Sequence, residues 1–483
     1  MEGKTKNTLF SNEDWLAVWL GLFIFCLGIT KVCCGIDVLG WVVKNSVWMD
    51  LGKSFAAVSK TYTGMPPIIS LVLTYLFLLV IMTIGAMGLG VSLKKFILSF
   101  SIVFGISFVC WTLGHYAYIA ATPDQLQKFG IGWSCNLTGE AGLIIALLVG
   151  LCIGNFFPQV TNALKEGIKP EWYIKTAIVI LGAGLGVKAV EALGLATSVI
   201  FRGFCAIVEA YLIYWAVVYF IARRYFKFSR EWAAPLASGI SICGVSAAIA
   251  TGAAIKAKPR VAIMVSSLVV VFAVIELILL PFLSQIFLYQ EPMVAGAWMG
   301  LAVKTDGAAV ASGAITDSLI RAKVLALQGI NYKEGWILMT ATTTKIFIDV
   351  FIGIWAFILA LVWVYAIEKK PGEKVKPIEM WHRFPKFVIG YCFTFLVMLA
   401  LCLISSGLIP GLKEVTEQCD VFRKIFFAMT FFSIGAVSNF RQLWQEGIGR
   451  LTAVYVLCLF GFIIWVGLFI SWIFFHGIKP PVV

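Results

Sequence analysis

Long apolar stretches, separated by short polar segments, follow one another along the chain. A helix needs about 20 mostly apolar residues to cross the hydrocarbon core of a bilayer. A transmembrane barrel would instead show shorter segments of alternating apolar and polar residues. The pattern therefore predicts an all-α polytopic membrane protein with about 11–13 transmembrane helices. The candidate spans are 15–30, 68–89, 96–120, 141–154, 172–190, 203–222, 232–255, 261–288, 295–315, 335–367, 387–408, 422–440 and 451–475.

Two of these stretches are built from small residues rather than large apolar ones. They are "ASGISICGVSAAIATGAA" (237–254) and "GLAVKTDGAAVASGAI" (300–315). Small residues let membrane helices pack closely, but two matching interruptions also mark transport sites, where broken helices expose backbone groups to a ligand. We favour the second interpretation, in which amide and hydroxyl groups face an anion. The predicted substrate-binding residues of these two segments are Ser241, Cys243, Gly244, Ser246, Lys304, Thr305 and Gly307.

The composition agrees with a membrane protein: 60% of the 483 residues are hydrophobic and only 13% are charged, about half of the usual charged share. The net charge of +13 predicts orientation, because basic loops stay in the cytoplasm. The clusters "SLKKF" (92–96), "ARRYFKFSR" (222–230) and "EKKPGEKVKP" (368–377) fall on one side if every span crosses in turn. This predicts an inner (plasma) membrane protein with a cytoplasmic N-terminus, an external C-terminus and a cytoplasmic linker at 365–386.

One basic cluster, "KAKPR" (256–260), breaks this rule if 232–255 crosses the bilayer completely. The cluster moves to the cytoplasmic side if 232–255 and 295–315 are both re-entrant, and the sequence leaves the two topologies open. Basic residues flank the spans and form no stripe, so a nucleic-acid partner is not expected. The lipid bilayer is the expected environment.

The chain contains 12 cysteines and three histidines. Most cysteines fall within spans, where they pack as small apolar residues, whereas Cys33, Cys34, Cys135 and Cys419 are predicted to lie in outer loops, with a pairing that the sequence does not reveal. No metal-ligand spacing, serine elbow, His-acid cluster or nucleotide motif is present. We therefore expect no metal, no cofactor and no enzymatic activity.

A weak internal repeat aligns "GAGLGVKAVEALG" (182–194) with "GAVSNFRQLWQEG" (435–447) without gaps. Each copy ends a span with small residues and then a basic residue, and the two spans run in opposite directions under either topology. This is the pattern of an inverted repeat, which many secondary transporters use for alternating access.

Ionisable residues inside spans are costly and typically mark pathways or relays. Lys304 or Lys345 is the predicted positive partner of a bound anion, and Asp306 or Asp349 a predicted H⁺ or Na⁺ site. Lys345 and Asp349 lie four residues apart and can pair on one helix face, for structural or functional reasons. Glu209 is either protonated and inert or a coupling site, and Glu276 is the remaining carboxylate of this kind.

The segment "GISICGVSAAIAT" resembles the signature of the YeiH-type sulfate exporter family, and the resemblance extends over roughly 139–475. "LIIALLVGLCIGN" (143–155), "AIVILGAGLGV" (177–187) and "FAMTFFSIGAVSNFRQL" (427–443) are similar to three helices of that family. The resemblance implies a carrier of the cation/proton antiporter and anion transporter superfamily, in which dimers are common, so a homodimer is expected. It also implies a transporter core at 131–483 and a transmembrane extension at 1–130.

The sequence departs from the family pattern at two places. Lys304 and Thr305 stand where members typically have a His and an acidic residue, and Ile348 stands where members often have Arg. This puts the family's substrate and a His-dependent proton coupling in doubt. We expect a secondary active transporter of a small anion such as sulfate, coupled to Na⁺ or H⁺. The alternatives are a cation-coupled or cation/proton carrier, or a non-transporting membrane sensor built on a carrier fold.

Overall fold

The computed structural model describes residues 12–121, 125–135, 139, 141–191, 193–367, 381, 385–438 and 449–483. This part of the chain is almost entirely helical. Its helices are α1 (Glu13–Cys34), α2 (Pro67–Leu89), α3 (Leu93–Gly114), α4 (Ala117–Ala120), α5 (Leu126–Phe129), α6 (Ala141–Phe156), α7 (Pro158–Ala163), α8 (Pro170–Glu191), α9 (Leu193–Gly203), α10 (Cys205–Ile207), α11 (Trp215–Arg224), α12 (Arg230–Ser241), α13 (Val245–Ala254), α14 (Pro259–Phe287), α15 (Pro292–Ala302), α16 (Asp306–Gln328), α17 (Trp336–Val350), α18 (Ile352–Leu361), α19 (Phe387–Ile404), α20 (Ile409–Val437), α21 (Gly449–Cys458) and α22 (Ile464–Phe475).

Shorter elements interrupt or connect these helices. Three π-helical segments cover Val208–Tyr214, Val362–Ile367 and Leu459–Ile463, and 3₁₀ turns cover Leu51–Lys53, Lys60–Tyr62 and Ser406–Leu408. Strands β1 (Val43–Asn45) and β2 (Phe55–Ala57) pair antiparallel, with Lys44 opposite Ala56. Seven helical stretches of the described residues are long and apolar enough to cross a membrane, so the protein is an all-α polytopic membrane protein, as predicted.

The described helices divide into two compact units. The first unit comprises the chain up to Leu195 and Lys386–Val437. Its small residues bring helices close together: a methyl group on Gly150 of α6 would lie 2.2 Å from the Phe432 carbonyl oxygen of α20, and one on Gly182 of α8 would lie 2.4 Å from the Tyr391 carbonyl oxygen of α19. These glycines therefore permit backbone-to-backbone packing.

The first unit includes the first copy of the predicted repeat and the second copy as far as Val437. Residues 192 and 439–447 lie outside the described residues. Gly182 and Gly435, which the alignment matches, both lie at close helix contacts, since a methyl group on Gly435 would lie 2.3 Å from the Leu147 carbonyl oxygen. The inverted repeat stays a prediction, as does the division into an extension at 1–130 and a core at 131–483.

Three of the four cysteines predicted in loops lie in helices, so that prediction was wrong for them. Cys33 and Cys34 form the last turn of α1, which ends at Gly35 in the left-handed conformation (φ 71°), a common helix terminator. Cys419 is buried within α20, with its Sγ 3.9 Å from the Ile24 carbonyl oxygen. Cys135 follows the loop prediction, and the sequence "NLT" after it (136–138) lies outside the described residues.

The second unit comprises Ala196–Pro385 and Ser438–Val483, and it contains two helical hairpins. In the first hairpin, α12 and α13 are antiparallel arms. The Thr251 hydroxyl donates to the Ser238 hydroxyl at 2.7 Å, and the Lys258 amide donates to Glu231 at 2.8 Å. Thirteen residues of continuous helix would separate the first pair by about 20 Å. The chain therefore reverses between the arms, at a tip formed by residues 242–244.

The second hairpin consists of α15 and α16, and both arms pack along α17. A methyl group on Gly300 or on Gly313 would lie within 2.6 Å of an Ala341 atom, and one on Gly296 would lie 2.5 Å from the Ile337 carbonyl oxygen. Asp317 of α16 accepts the Ile337 amide at 3.1 Å. Residues 300 and 313 therefore lie at the same position along the axis of α17, next to Ala341. Residues 296 and 317 share another position along that axis, next to Ile337. The tip of this hairpin is residues 303–305.

The two hairpins match the re-entrant alternative of the two topologies that the sequence left open. Residues 232–255 and 295–315 each reverse direction at a tip, so neither forms one continuous helix. The arms α12, α13 and α15 are 12, 10 and 11 residues long, or about 15–18 Å, which is about half of the hydrocarbon thickness. The fourth arm, α16, is longer, with 23 residues. The 29-residue α14 lies between the hairpins in sequence, so they open at its opposite ends.

Candidate functional site

The tips of the two hairpins meet inside the second unit. Gly244 in the first tip has φ 71°, and a methyl group on it would lie 3.1 Å from the Lys304 carbonyl oxygen and 3.3 Å from Cγ2 of Thr305. Both tips are buried. A glycine is required at position 244, because a side chain there would separate the tips. The non-helical backbone of both tips also has carbonyl and amide groups that need hydrogen-bond partners.

Lys345 of α17 supplies a partner for both tips at once. Its ammonium lies 2.9 Å from the Ile242 carbonyl oxygen of the first tip and 3.4 Å from the carbonyl oxygens of Val303 and Lys304 in the second. It also forms an ion pair with Asp306, at 3.9 Å. The side chain is only 1% exposed. One buried cation therefore connects α17, both tips and the first residue of α16.

Asp306, the ion-pair partner of this ammonium, belongs to a cluster of acidic and thiol groups. The Sγ of Cys243 and one carboxylate oxygen each of Asp306 and Asp349 lie within 4.8 Å of one another, and all three residues are buried. Such a set of atoms could hold a cation. The sequence predicted Asp306 or Asp349 as an H⁺ or Na⁺ site, but it did not suggest that both cluster with Cys243, because the three residues are far apart in the chain and have no metal-ligand spacing.

Lys304 has a different set of contacts from Lys345. Its amide donates to Glu276 of α14 at 2.8 Å, and its ammonium donates to the Leu301 carbonyl oxygen and lies 4.6 Å from the centre of the Tyr214 ring. Tyr214 closes the π-helical segment that contains Glu209, and both residues are fully buried. π-Helical turns are frequent at functional sites.

Two helices begin at the tips and direct their amino-terminal amides there. Helix α13 starts at Val245, directly after the first tip, and α16 starts at Asp306, directly after the second. Thr305 caps α16, its hydroxyl accepting the Ala308 amide at 3.2 Å. Helix N-termini favour anions, so the tips present positive helix ends and carbonyl oxygens side by side.

We call the place where the two tips, 242–244 and 303–305, meet the junction. The structure brings most of the predicted site residues to this junction. Cys243, Gly244, Lys304 and Thr305 form parts of the tips; Asp306 and Gly307 start α16; Lys345 and Asp349 lie on α17. Ser241 ends α12, and its buried hydroxyl has no hydrogen-bond partner among the described residues. Ser246 lies in the first turn of α13, with its side chain outside the described part of the structure. Glu209 lies in the π-helical segment that ends at Tyr214, the residue whose ring faces the Lys304 ammonium.

Two residues of the junction were missing from the predicted site. Glu276 was recognised only as an intramembrane carboxylate, and its contact with the Lys304 amide depends on the packing of α14 against the second hairpin. Tyr214 carries no signal of its own in the sequence, since its apolar neighbours make it resemble an ordinary interfacial aromatic residue.

The acidic and basic groups at the junction are unequal in number. Four buried carboxylates (Glu209, Glu276, Asp306 and Asp349) face two buried lysines (Lys304 and Lys345). Buried charges are normally paired or neutralised. With all six groups ionised, the junction has a formal charge of −2, from four negative and two positive groups, which favours an additional cation or proton.

The fold and the junction define a multi-pass α-helical membrane protein with two re-entrant hairpins. Residues 133–454 match the family model described as Conserved hypothetical protein 698. The UPF0324 membrane protein of Nitrosomonas europaea is 43% identical, with 100% of this chain and 99% of that protein covered. A UPF0324 membrane protein of Rhodopirellula baltica is 32% identical, with 65% of this chain and 54% of that protein covered. No solved structure matches the chain.

The chain belongs to this family, the UPF0324 membrane proteins. The YeiH-type proteins that the sequence resembles are the same family, and the departures at Lys304, Thr305 and Ile348 make this chain a divergent member of it.

Proposed function

We propose that the protein is a secondary active transporter that moves a small anion through the second unit by alternating access. One observation carries the proposal: two hairpins that open at opposite ends of α14 meet at their tips, where Lys345 is bonded to both. In many secondary transporters, substrate and coupling ion bind near the bilayer midplane at discontinuous helices of this kind. Opening one hairpin would expose the junction to one side only.

The charge of the solute follows from the groups at the junction. The amino-terminal ends of α13 and α16 favour a small anion, as do Lys304 and Lys345, and the excess of carboxylates favours a coupled cation. A cation or cation/proton carrier is the second candidate, and the four carboxylates against two lysines are the observation that favours it.

The basic residues support an orientation for this transporter. The first hairpin opens where "ARRYFKFSR" (222–230) and "KAKPR" (256–260) lie, so both clusters sit at the same end of α14. We place this end in the cytoplasm, because basic residues near span ends remain there. The second hairpin then opens outward. From the order of the predicted spans and basic clusters in the sequence, we also propose a plasma (inner) membrane protein with a cytoplasmic N-terminus.

The first test is ligand binding to detergent-purified protein, measured as the change in melting temperature. Sulfate, sulfite, bicarbonate, sulfonates and small carboxylates are compared with and without Na⁺ at two pH values. The variant Lys304→Ala is compared with Lys323→Ala, whose ammonium contacts Gln285 and Tyr289. An anion that stabilises wild type and Lys323→Ala, but not Lys304→Ala, supports the proposal.

The same anion is then tested for saturable flux in proteoliposomes. Binding without flux contradicts transport and favours a sensor. A folded protein that responds to no anion, but to Na⁺ or pH, supports the cation carrier instead.

A further inference from the structure

We propose that Lys345 serves as a built-in cation for the junction of the two tips, taking the position that a bound Na⁺ takes in a Na⁺-coupled carrier. The role of this site in a transport cycle rests on the proposed function, whereas the site itself is defined by the contacts of the Lys345 ammonium. Carbonyl oxygens of unwound helices and helix carboxyl ends are the groups with which discontinuous transporter helices coordinate Na⁺.

The contacts of the ammonium match such a coordination site. Three carbonyl oxygens, those of Ile242, Val303 and Lys304, and one carboxylate, Asp306, lie 2.9–3.9 Å from Nζ. These oxygens come from both hairpins, so a positive charge among them holds the tips together. Neither tip supplies that charge from its own hairpin, because the Lys304 ammonium points to Leu301 and Tyr214.

A covalently attached cation has a direct consequence for ion dependence. Because the Lys345 ammonium fills the space between the tip carbonyls, a free Na⁺ gains no site there, and closing of the tips does not require Na⁺. Removing the lysine side chain leaves the same oxygens around a water-sized space. A variant with a short side chain at this position should therefore acquire a monovalent-cation site.

The test compares melting temperatures of the purified protein in Na⁺, Li⁺ and choline chloride at equal ionic strength. The inference makes H⁺ rather than Na⁺ the coupled cation of the proposed transporter, so wild type should melt at the same temperature in all three salts. Lys345→Ala should melt lower in choline and recover by about 2 °C or more in Na⁺ or Li⁺. Lys345→Met fills the space with an apolar chain of similar length, so it should be destabilised in all three salts without recovery. Lys304→Ala should show no preference for Na⁺ or Li⁺ over choline.

Specific stabilisation of wild type by Na⁺ would overturn the inference, and this measurement needs no variant. A Lys345→Ala protein that is folded but indifferent to the cation would also overturn it. If that variant survives purification only in Na⁺ or Li⁺ buffers, the inference is supported; if it is unstable in every salt, the inference is rejected. Failure of the proposed function is separate, because it is read from anion binding and flux.

Discussion

The hydroxyl of Thr251 donates to the hydroxyl of Ser238 at 2.7 Å, and this bond joins the two arms of the first hairpin about midway between tip and base. Ser238 also accepts the indole N–H of Trp215 at 2.9 Å. A single serine oxygen therefore holds both arms to each other and to α11. No apolar residue of similar size can replace it without leaving two donors unpaired.

Ser238→Ala should consequently destabilise the protein more than Thr251→Val. The alanine variant leaves the donors of Trp215 and Thr251 without their acceptor and should cost about 1–3 kcal/mol, whereas the valine variant removes one bond, worth about 1 kcal/mol. Thermal unfolding in detergent measures both. The double variant should lose less than the sum of the two, because the residues share a bond. Strictly additive losses would contradict the contact.

Gly244→Ala should separate the tips and reduce solute flux strongly. The residue has φ 71°, which costs about 1–2 kcal/mol for an alanine, and the added methyl would lie 2.5 Å from Val269 Cγ1. Gly252→Ala is the matched control on the same hairpin. Its methyl would meet only Ala262 Cβ, at 3.3 Å, so that variant should be close to neutral. Equal effects of both substitutions on melting temperature would count against a special role of the tip.

Glu276→Gln should preserve the second tip, and Glu276→Leu should not. The carboxylate accepts the Lys304 amide at 2.8 Å, and a glutamine can accept the same bond. Leucine leaves a buried amide unpaired, which costs about 1–3 kcal/mol. Melting temperatures of the two variants provide the comparison. If glutamine and leucine are equally harmful, the negative charge rather than the hydrogen bond is what matters at this position.

The sequence located the junction but not its shape. The stretches 237–254 and 300–315 stood out because they lack large side chains, and both form hairpin tips. The choice between a crossing helix and a hairpin was not readable, because an apolar segment of about 20 residues satisfies either. The deciding contacts, such as that of Thr251 with Ser238, are not visible in the sequence, because both residues belong to one stretch and nothing in it shows that they meet.

The same limit applies to residues whose meaning depends on their partners. Small residues at 182–187 have much the same composition as the tips, yet Gly182 serves helix packing. The spacing of Lys345 and Asp349 predicted a pair within α17, whereas the ion pair that the structure gives Lys345 is with Asp306 of another helix. Helix spacing is visible in a sequence, whereas contacts between hairpins depend on tertiary packing.

Accessibility of single introduced cysteines should separate the two topologies directly. Ser229, Lys258 and Gln290 are exposed; the first two flank the first hairpin, and the third follows α14. A membrane-impermeant maleimide should label Ser229→Cys and Lys258→Cys from the same side, and Gln290→Cys from the other. The parent protein, which has 12 cysteines, gives the background labelling. If residues 232–255 crossed the bilayer, the maleimide would label Ser229→Cys and Gln290→Cys from one side and Lys258→Cys from the other. Because that result is the reverse of the one expected for hairpins, the three variants decide the arrangement without any knowledge of the solute.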